Sequence, residues 1–308
     1  MEEKQYDVIV LGGGPAGLTA GIYLSRAKAS TLILDTGTIG GQTVLTFEVA
    51  NYPGVETTSG YQLSSTMRKQ AKSFGCDIKS NIKITDLSLD GDMKSVIVNN
   101  KTVFKAKSVI LATGGRSRML NVTGETEFKG KGISYCATCD GDFFQDKEII
   151  VVGGGNSALE EAVALTKYAS KVTILHEFDH FQAFEHAIEA VKSNPKIDFV
   201  MNSHITEFIG DEKLTHFVYK DLKSGETTKK EIDGVFIFIG YVANTDMLQD
   251  TAVKLNSRGE IITNEQLQTN IEGVFAAGDN RAVRFRQITT AVADGTIAAL
   301  NVLEFLNH

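Results

Sequence analysis

The chain holds only three cysteines and three prolines in 308 residues. An odd, low cysteine count excludes a disulfide-stapled secreted scaffold and reads as cytosolic, with any disulfide catalytic rather than structural. The scarcity of proline, with no low-complexity stretch, leaves no long disordered linker. No apolar stretch approaches the roughly 20 residues of a membrane span. The start, Met1-Glu2-Glu3-Lys4, is acidic and leads straight into a strand, so no signal peptide is expected. Basic runs are missing too and the net charge is -7, which argues against a nucleic-acid partner. The expected localisation is cytoplasmic, with neither membrane nor nucleic acid as a partner. What remains is the composition of an ordinary globular protein, long for one core and comfortable for two domains.

Two of the cysteines stand three positions apart in Ser134-Tyr135-Cys136-Ala137-Thr138-Cys139-Asp140-Gly141. A Cys-x-x-Cys pair can close a small disulfide and reopen it by thiol exchange. The close sulfurs hold one cysteine as a thiolate, with a pKa typically lowered to roughly 7 or below. Only the thiolate attacks a disulfide, so a neighbouring group that moves the proton is useful, and Asp140 is placed to be that group. The competing reading is half of a zinc site. His176-x-x-x-His180 could complete it, but from a distance along the chain well outside the usual finger spacing, so no metal is expected. Cys76, after Ser73-Phe74-Gly75, reads as a partly buried bystander. His186, His204, His216 and His308 show no pairing that suggests catalysis.

The apolar run Tyr6 to Leu11 has the look of a buried parallel strand. Gly12-Gly13-Gly14-Pro15-Ala16-Gly17 follows, then a helical stretch Leu18 to Ala27, a strand Thr31 to Leu34, and Asp35. This is a strand, a Gly-x-Gly-x-x-Gly turn, a helix, a strand and an acid, the pattern of a dinucleotide site. Gly12 allows the tight turn, Gly14 lets the backbone approach a pyrophosphate, and Gly17 lets helix and strand pack closely. The helix N-terminus favours the phosphates, and Asp35 can accept from ribose hydroxyls. The pattern repeats: strand Glu148 to Val152, turn Gly153-Gly154-Gly155-Asn156-Ser157-Ala158, helix Leu159 to Tyr168, strand Val172 to Leu175. Two such modules suggest two nucleotides, and a flavin with a nicotinamide is the pairing that makes chemical sense. Val109 to Gly115 and Val274 to Asp279 are further strands leading into small-residue turns, and both belong with the first module. A helix from about Ile288 to Phe305 closes the chain. The expected fold is α/β, with two Rossmann-like dinucleotide-binding domains, the second inserted in the first. Residues 1–115 with 248–308 are expected to form the first dinucleotide-binding domain, and 116–247 the second, which carries the cysteine pair. Lys220 to Glu231 reads as a solvated hairpin.

With these motifs in order, the chain resembles the low-molecular-weight, bacterial-type thioredoxin reductases over essentially its whole length. The residues that carry the resemblance are Gly12 to Gly17, Gly40-Gly41-Gln42, Asn51-Tyr52-Pro53-Gly54, Cys136 to Asp140, Gly153 to Glu161, and Ala276-Ala277-Gly278-Asp279 with Arg286-Gln287. The resemblance implies a homodimeric FAD enzyme that passes electrons from a reduced nicotinamide to flavin, to the Cys136–Cys139 disulfide, and on to thioredoxin. It implies that Cys139 faces the flavin, that Cys136 attacks the partner's disulfide, and that Asp140 moves the proton. Gly12, Gly14, Pro15, Ala16, Asp35, Gly41, Gln42, Asn51, Gly278, Asp279, Arg286 and Gln287 are the implied FAD positions. Gly153, Gly155, Asn156, Ser157 and Ala158 are those for the nicotinamide dinucleotide. The resemblance thus implies that 1–115 with 248–308 is the FAD-binding domain and 116–247 the NAD(P)-binding domain. Disulfide and nicotinamide ride on one domain and must reach one flavin in turn. That requires rotation about linkers, expected near 115–120 and 243–248.

NADPH-using members carry His-Arg-Arg-x-x-x-Arg after the second strand of the inserted module, and the arginines hold the 2′-phosphate. Here the stretch is His176-Glu177-Phe178-Asp179-His180-Phe181-Gln182, without an arginine. A carboxylate near a phosphate is repulsive by roughly 1–4 kcal/mol at about 4 Å, whereas it can accept from a free 2′-OH. NADH is therefore expected over NADPH, with Glu177 as the ribose acceptor. By strict comparison with the first module, however, His176 falls opposite Asp35, which leaves Glu177 open to being a solvated charge. Two alternatives stay beside the leading function. One is an NADH-dependent reductase of a peroxiredoxin or glutaredoxin-like carrier, disfavoured because the chain starts at the flavin module without the extra thioredoxin-like domain of peroxide-system members. The other is a ferredoxin-fed thioredoxin reductase, disfavoured by the intact Gly153-Gly154-Gly155 turn and the cysteine pair.

Overall fold

The computed structural model describes residues 1–46 and 49–307. The chain forms two compact units, Met1–Arg116 with Val242–His308, and Ser117–Tyr241. The return to the first unit comes a few residues before the 247/248 division expected from sequence. The reason is Asn244, whose backbone N–H donates to the Gly114 carbonyl at 2.9 Å and whose side-chain amide donates to the Thr113 carbonyl at 3.0 Å.

In the first unit a seven-stranded sheet runs in the order Asp77–Lys79, Thr31–Leu34, Glu2–Leu11, Thr102–Leu111, Lys94–Val98, Ile84–Ser88, with Val274–Ala276 also paired to Thr102–Leu111. One edge of Thr102–Leu111 runs parallel to Glu2–Leu11 along its length. The other edge is shared: its first half pairs antiparallel with Lys94–Val98 and its last three residues pair parallel with Val274–Ala276. Side chains alternate between faces, as strand geometry requires. Val8, Val10, Ile33 and Ile110 face the helices Pro15–Arg26, Gly60–Ser73 and Ile288–Asn307. Ile9, Leu11, Leu32, Leu34, Val109 and Leu111 form a second cluster on the opposite face. Each such fully buried side chain contributes about 1.5–3 kcal/mol.

The helix Ile288–Asn307 is, among the described residues, the one helix long and apolar enough to cross a membrane by length and composition. Sequence reading did not anticipate this. In the fold the small residues of one face pack it on the core: Ala298, Ala299 and Val302 are buried with Ala16 and Leu18, and a Cβ on Gly295 would lie 2.2 Å from the Ala16 carbonyl oxygen, while Ile297 and Leu300 are exposed.

The second unit has a parallel sheet in the order Ile197–Val200, Lys171–Leu175, Glu148–Val152, Gly234–Ile237, Ile133–Ser134. Ile149, Val151, Val172, Ile174 and Phe236 pack on the helices Asn156–Leu165 and Glu185–Lys192. Ile150, Val152, Leu175, Val235 and Ile237 pack instead with Ile205, Phe208, Leu214 and Phe217. These last come from an antiparallel meander, Ser203–Gly210, Leu214–Asp221 and Thr227–Glu231, whose last two strands are the expected hairpin. Both helices after glycine turns begin three residues earlier than the apolar pattern suggested, at Pro15 and Asn156. Proline at the first helical position fits because its missing N–H would be unpaired there anyway.

Candidate functional site

The strand Ile133–Ser134 delivers the chain to Cys136, which is disulfide-bonded to Cys139 with Cα atoms 5.3 Å apart. Neither sulfur is free for a metal in this state. His176 is buried and His180 is exposed beside Asp179, and no group of three or more potential ligands gathers among the described residues. Cys136 is extended and caps the single helical turn Ala137–Asp140, its Sγ accepting the Cys139 N–H at 3.2 Å. Asp140 accepts from the Ser134 hydroxyl, and that hydroxyl accepts the Cys136 N–H at 3.1 Å. Burial pushes the Asp140 carboxyl up from its ordinary value, the Ser134 hydrogen bond pulls against this, and Asp142 adds to the rise. A carboxyl that keeps its proton to higher pH suits proton transfer beside a sulfur. Cys76 is a contrast: it is buried, and burial pushes its thiol up to about 11, so it is unreactive.

The first glycine turn closes where Glu2–Leu11 ends. Gly12 has φ +113°, and a Cβ there would lie 2.1 Å from the Ala112 carbonyl oxygen, so only glycine fits. Asp35 follows the strand Thr31–Leu34 and braces the turn, one carboxylate oxygen accepting from Gly13 N–H at 2.6 Å and the other from Gly37 N–H at 2.7 Å. Each oxygen keeps a second lone pair. Gly14 and Gly41 face one another, the nearest atom to a Cβ on Gly14 being the Gly41 Cα at 4.0 Å. The helix Pro15–Arg26 starts at Gly14 with no side-chain cap, so its first N–H groups are left for a ligand. A cavity beside the turn is lined by Gly12, Asp35, Thr36, Ile84, Thr113 and Asn244, among others.

Near the C-terminus, Gly278 N–H donates to Asp294 at 2.9 Å, and the same oxygen receives Arg281. Asp279 is half-buried, and its carboxylate takes no hydrogen bond among the described residues. Burial, opposed by Arg286 and assisted by Asp294, pushes it up to about 6. Arg286 pairs with buried Glu260 and reaches the Asp279 carbonyl at 3.4 Å, and Asn51 donates to the Gln287 side chain at 3.4 Å. Gln42 is exposed on the 3-10 turn Gly41–Leu45. An uncapped helix start, facing glycines and a carboxylate that takes no hydrogen bond among the described residues are what a dinucleotide with ribityl hydroxyls needs, and in this respect the residues fit FAD.

The second turn repeats the first with one exchange. Gly153 has φ +134° and a Cβ there would lie 2.4 Å from the Phe238 carbonyl oxygen. Gly155 precedes the helix Asn156–Leu165, again without a side-chain cap. His176, not Glu177, directly follows the strand Lys171–Leu175, as Asp35 follows Thr31–Leu34. Its ring lies against Gly154 and stacks on Phe181 with centroids 6.0 Å apart. Its Nε2 is buried without a hydrogen-bond partner among the described residues, and burial lowers its pKa, so it stands there as a neutral wedge. Glu177, Asp179 and the Gln182 side chain are exposed. The strip is pinned to the turn by Gln182 N–H to the Gly154 carbonyl at 2.8 Å and by Phe184 N–H to the Asn156 side chain at 2.7 Å. Ser157 and Ala158 begin the helix, Ala158 fully buried. Of the other histidines, His186 stacks on Phe184, and His308 lies outside the described residues.

Sequence reasoning passed over Glu125, Asp294 and Arg281, single residues in unremarkable loops and a helix, with no motif to flag them. The family model for pyridine nucleotide-disulphide oxidoreductases matches residues 6–295. The thioredoxin reductase of Peptoclostridium acidaminophilum is 48% identical over 311 residues, covering 99% of this chain and 98% of that protein. That of Bacillus subtilis (strain 168) is 43% identical, covering 100% and 96%. The crystal structure of the thioredoxin reductase from Streptococcus pyogenes superposes with a TM-score of 0.93 at 39% identity, covering 98% of each chain.

Proposed function

We propose that this chain, which belongs to the pyridine nucleotide-disulphide oxidoreductases and within them to the low-molecular-weight thioredoxin reductases, passes electrons from NADH through FAD and the Cys136–Cys139 disulfide to thioredoxin. The observation that carries the reading is the Cys136–Cys139 disulfide beside a half-buried Asp140, in a unit with its own dinucleotide turn. It is an FAD-dependent disulfide oxidoreductase. FAD, when bound, supplies the two-electron link between the nicotinamide and the disulfide.

In this reading the first unit holds FAD. The N–H groups at Gly14, Ala16 and the rest of the helix start take the pyrophosphate, with Pro15 setting the first helical φ beside it, Asp35 accepts from the ribose, and Gly41 and Gln42 close over the opposite side. Asn51, Gly278, Asp279, Arg286 and Gln287 border the rest of the cofactor. The second unit holds NADH at Gly153, Gly155, Asn156, Ser157 and Ala158. Once the pair is reduced, the Cys136 thiolate attacks one sulfur of the thioredoxin disulfide. That bond breaks, and the departing sulfur takes a proton through Asp140. The Cys139 thiolate then attacks Cys136, restoring the disulfide and releasing dithiol thioredoxin. A homodimer in the cytoplasm completes the proposal.

The preference for NADH rests on the strip 177–182. Where NADPH-using relatives place arginines, this chain offers exposed Glu177, Phe178 and Gln182, with Asp179 close by. An uncompensated 2′-phosphate is repelled there. Anaerobic titration with each nucleotide, followed by flavin absorbance, tests this directly. Bleaching should be rapid with NADH and slow with NADPH, and Glu177→Arg should narrow the gap. Preference for NADPH would refute the assignment. No bleaching by either would transfer the donor role to a protein such as ferredoxin.

A further inference from the structure

The loop that carries the redox pair is tied on both sides. On one side Ser134 links the Cys136 N–H to Asp140, within the same short turn. On the other, the Tyr135 hydroxyl donates to Glu125 Oε1 at 2.7 Å. Glu125 is fully buried, and its two oxygens also accept the Leu120 and Asn121 N–H groups at 2.9 and 2.6 Å. Among the described residues it has no cation partner. The loop that holds it is fixed to the strand Ser203–Gly210 by the Phe208 N–H, which donates to the Thr123 carbonyl at 2.9 Å. Glu125 is therefore a fixed post, and Tyr135 is the tether to it. A buried carboxylate held only by neutral donors is a poor stabilising device, because its desolvation offsets much of what its hydrogen bonds return.

We propose that Glu125 and Tyr135 are a positioning pair, which holds Cys136 in the extended conformation that lets its sulfur accept the Cys139 N–H. The residue between Ser134 and Cys136 sets where the Cys136 backbone sits. With φ -146° and ψ 105°, Cys136 points its Sγ at the Cys139 N–H. A donor aimed at a sulfur favours the thiolate over the thiol. Without the tether the loop samples conformations in which that hydrogen bond is lost. Tyr135 touches neither the carrier's sulfur nor a nucleotide in this account and acts only through Cys136.

The proposal rests on Cys136 being the attacking sulfur, and the experiment separates the two claims. Holoenzyme is reduced with dithiothreitol, freed of it anaerobically, and alkylated with iodoacetamide across a pH series, with Cys136 and Cys139 followed as separate peptides by mass spectrometry. In the wild type Cys136 should react faster; if Cys139 does, the functional reading of Cys136 fails. Tyr135→Phe keeps the ring, which lies 5.0 Å beneath Lys129 Nζ, and removes only the hydroxyl. It should move the midpoint of the Cys136 profile upward by about one pH unit, the scale of one weakened hydrogen bond to an ionised group, and leave that of Cys139 in place. Glu125→Gln should move it the same way. An unchanged Cys136 profile in Tyr135→Phe, with flavin content and melting temperature of the wild type, overturns the proposal.

Discussion

The two glycine turns share a strand, a tight left-handed glycine, an uncapped helix and a second strand, yet they are braced differently. The first is held by charge: Asp35 accepts two backbone N–H groups across the turn. The second is held by packing: His176 occupies the same place after the strand and fills space against Gly154 with a ring that makes no hydrogen bond at Nε2. The acid of the motif is thus a brace for the turn as well as the proposed ribose acceptor, and an aromatic wedge can do the first job without the second. In the proposed reading, ribose recognition at the second turn falls to residues further along the strip, where Glu177 stands.

The largest effect should come from removing the glycine that both turns share. Gly12→Ala and Gly153→Ala each place a methyl group inside a carbonyl oxygen at a left-handed φ, a cost on the order of 1–3 kcal/mol from backbone strain alone. Gly12→Ala should purify without yellow colour. Gly153→Ala should keep its flavin, reducible by dithionite, and lose bleaching by NADH. Loss of flavin from both would break the assignment of one nucleotide to each turn. Next, Asp35→Asn sets an amide against one of two N–H donors and should cost about 1–3 kcal/mol, seen as a lower melting temperature and faster flavin loss on dialysis.

Asp279 sharpens the contrast through pH. Its folded carboxyl titrates at about 6, above the roughly 3.9 of an unfolded chain. Between those values the folded state binds the extra proton, so flavin-free protein loses stability as pH rises from about 4 to 6. Asp279→Asn should raise the melting temperature of flavin-free protein at pH 7–8 while weakening flavin retention. A lower melting temperature there would show that the carboxylate is satisfied without a ligand. The smallest effect is expected at His176. Its pKa is lowered by burial, so the unfolded chain takes the proton first and stability falls as pH drops below about 6.5. His176→Phe should change stability at pH 8 by no more than about 1 kcal/mol and flatten that acid slope. A large loss at pH 8 would mean that the ring is held by more than shape.

Much of this was legible in the sequence, for identifiable reasons. Buried parallel strands such as Val8 to Leu11 and Ile149 to Val152 show as continuous apolar runs because both faces are covered. The polar start of the first strand, Glu2 to Gln5, gave no signal. Those residues are exposed and become a strand only by pairing with Thr102 to Lys105, a hundred positions away. The helix Ile288–Asn307 was visible as a helix, but its aptness for a membrane by composition was not, because Gly295, Ala298 and Ala299 are small for the sake of close packing. At the site, Cys136, Cys139 and Asp140 announce themselves by adjacency. Glu125 does not, because its partners Leu120, Asn121 and Tyr135 meet it only through loop geometry.

The shared edge of the strand Thr102–Leu111 bears on how the protein is made. Its last three residues wait for Val274–Ala276, which lies beyond the whole of Ser117–Tyr241 in the chain. On the ribosome the inserted unit has every strand of its parallel sheet once Ile237 has emerged, whereas the unit begun first still lacks a strand and its closing helix. Domains form as units while synthesis proceeds at roughly 5–20 residues per second, so the later-started unit matures first. For several seconds it hangs from an open half-sheet whose edge at Val109 to Leu111 is bare. That interval is when a nascent chain of this design is most in need of a chaperone.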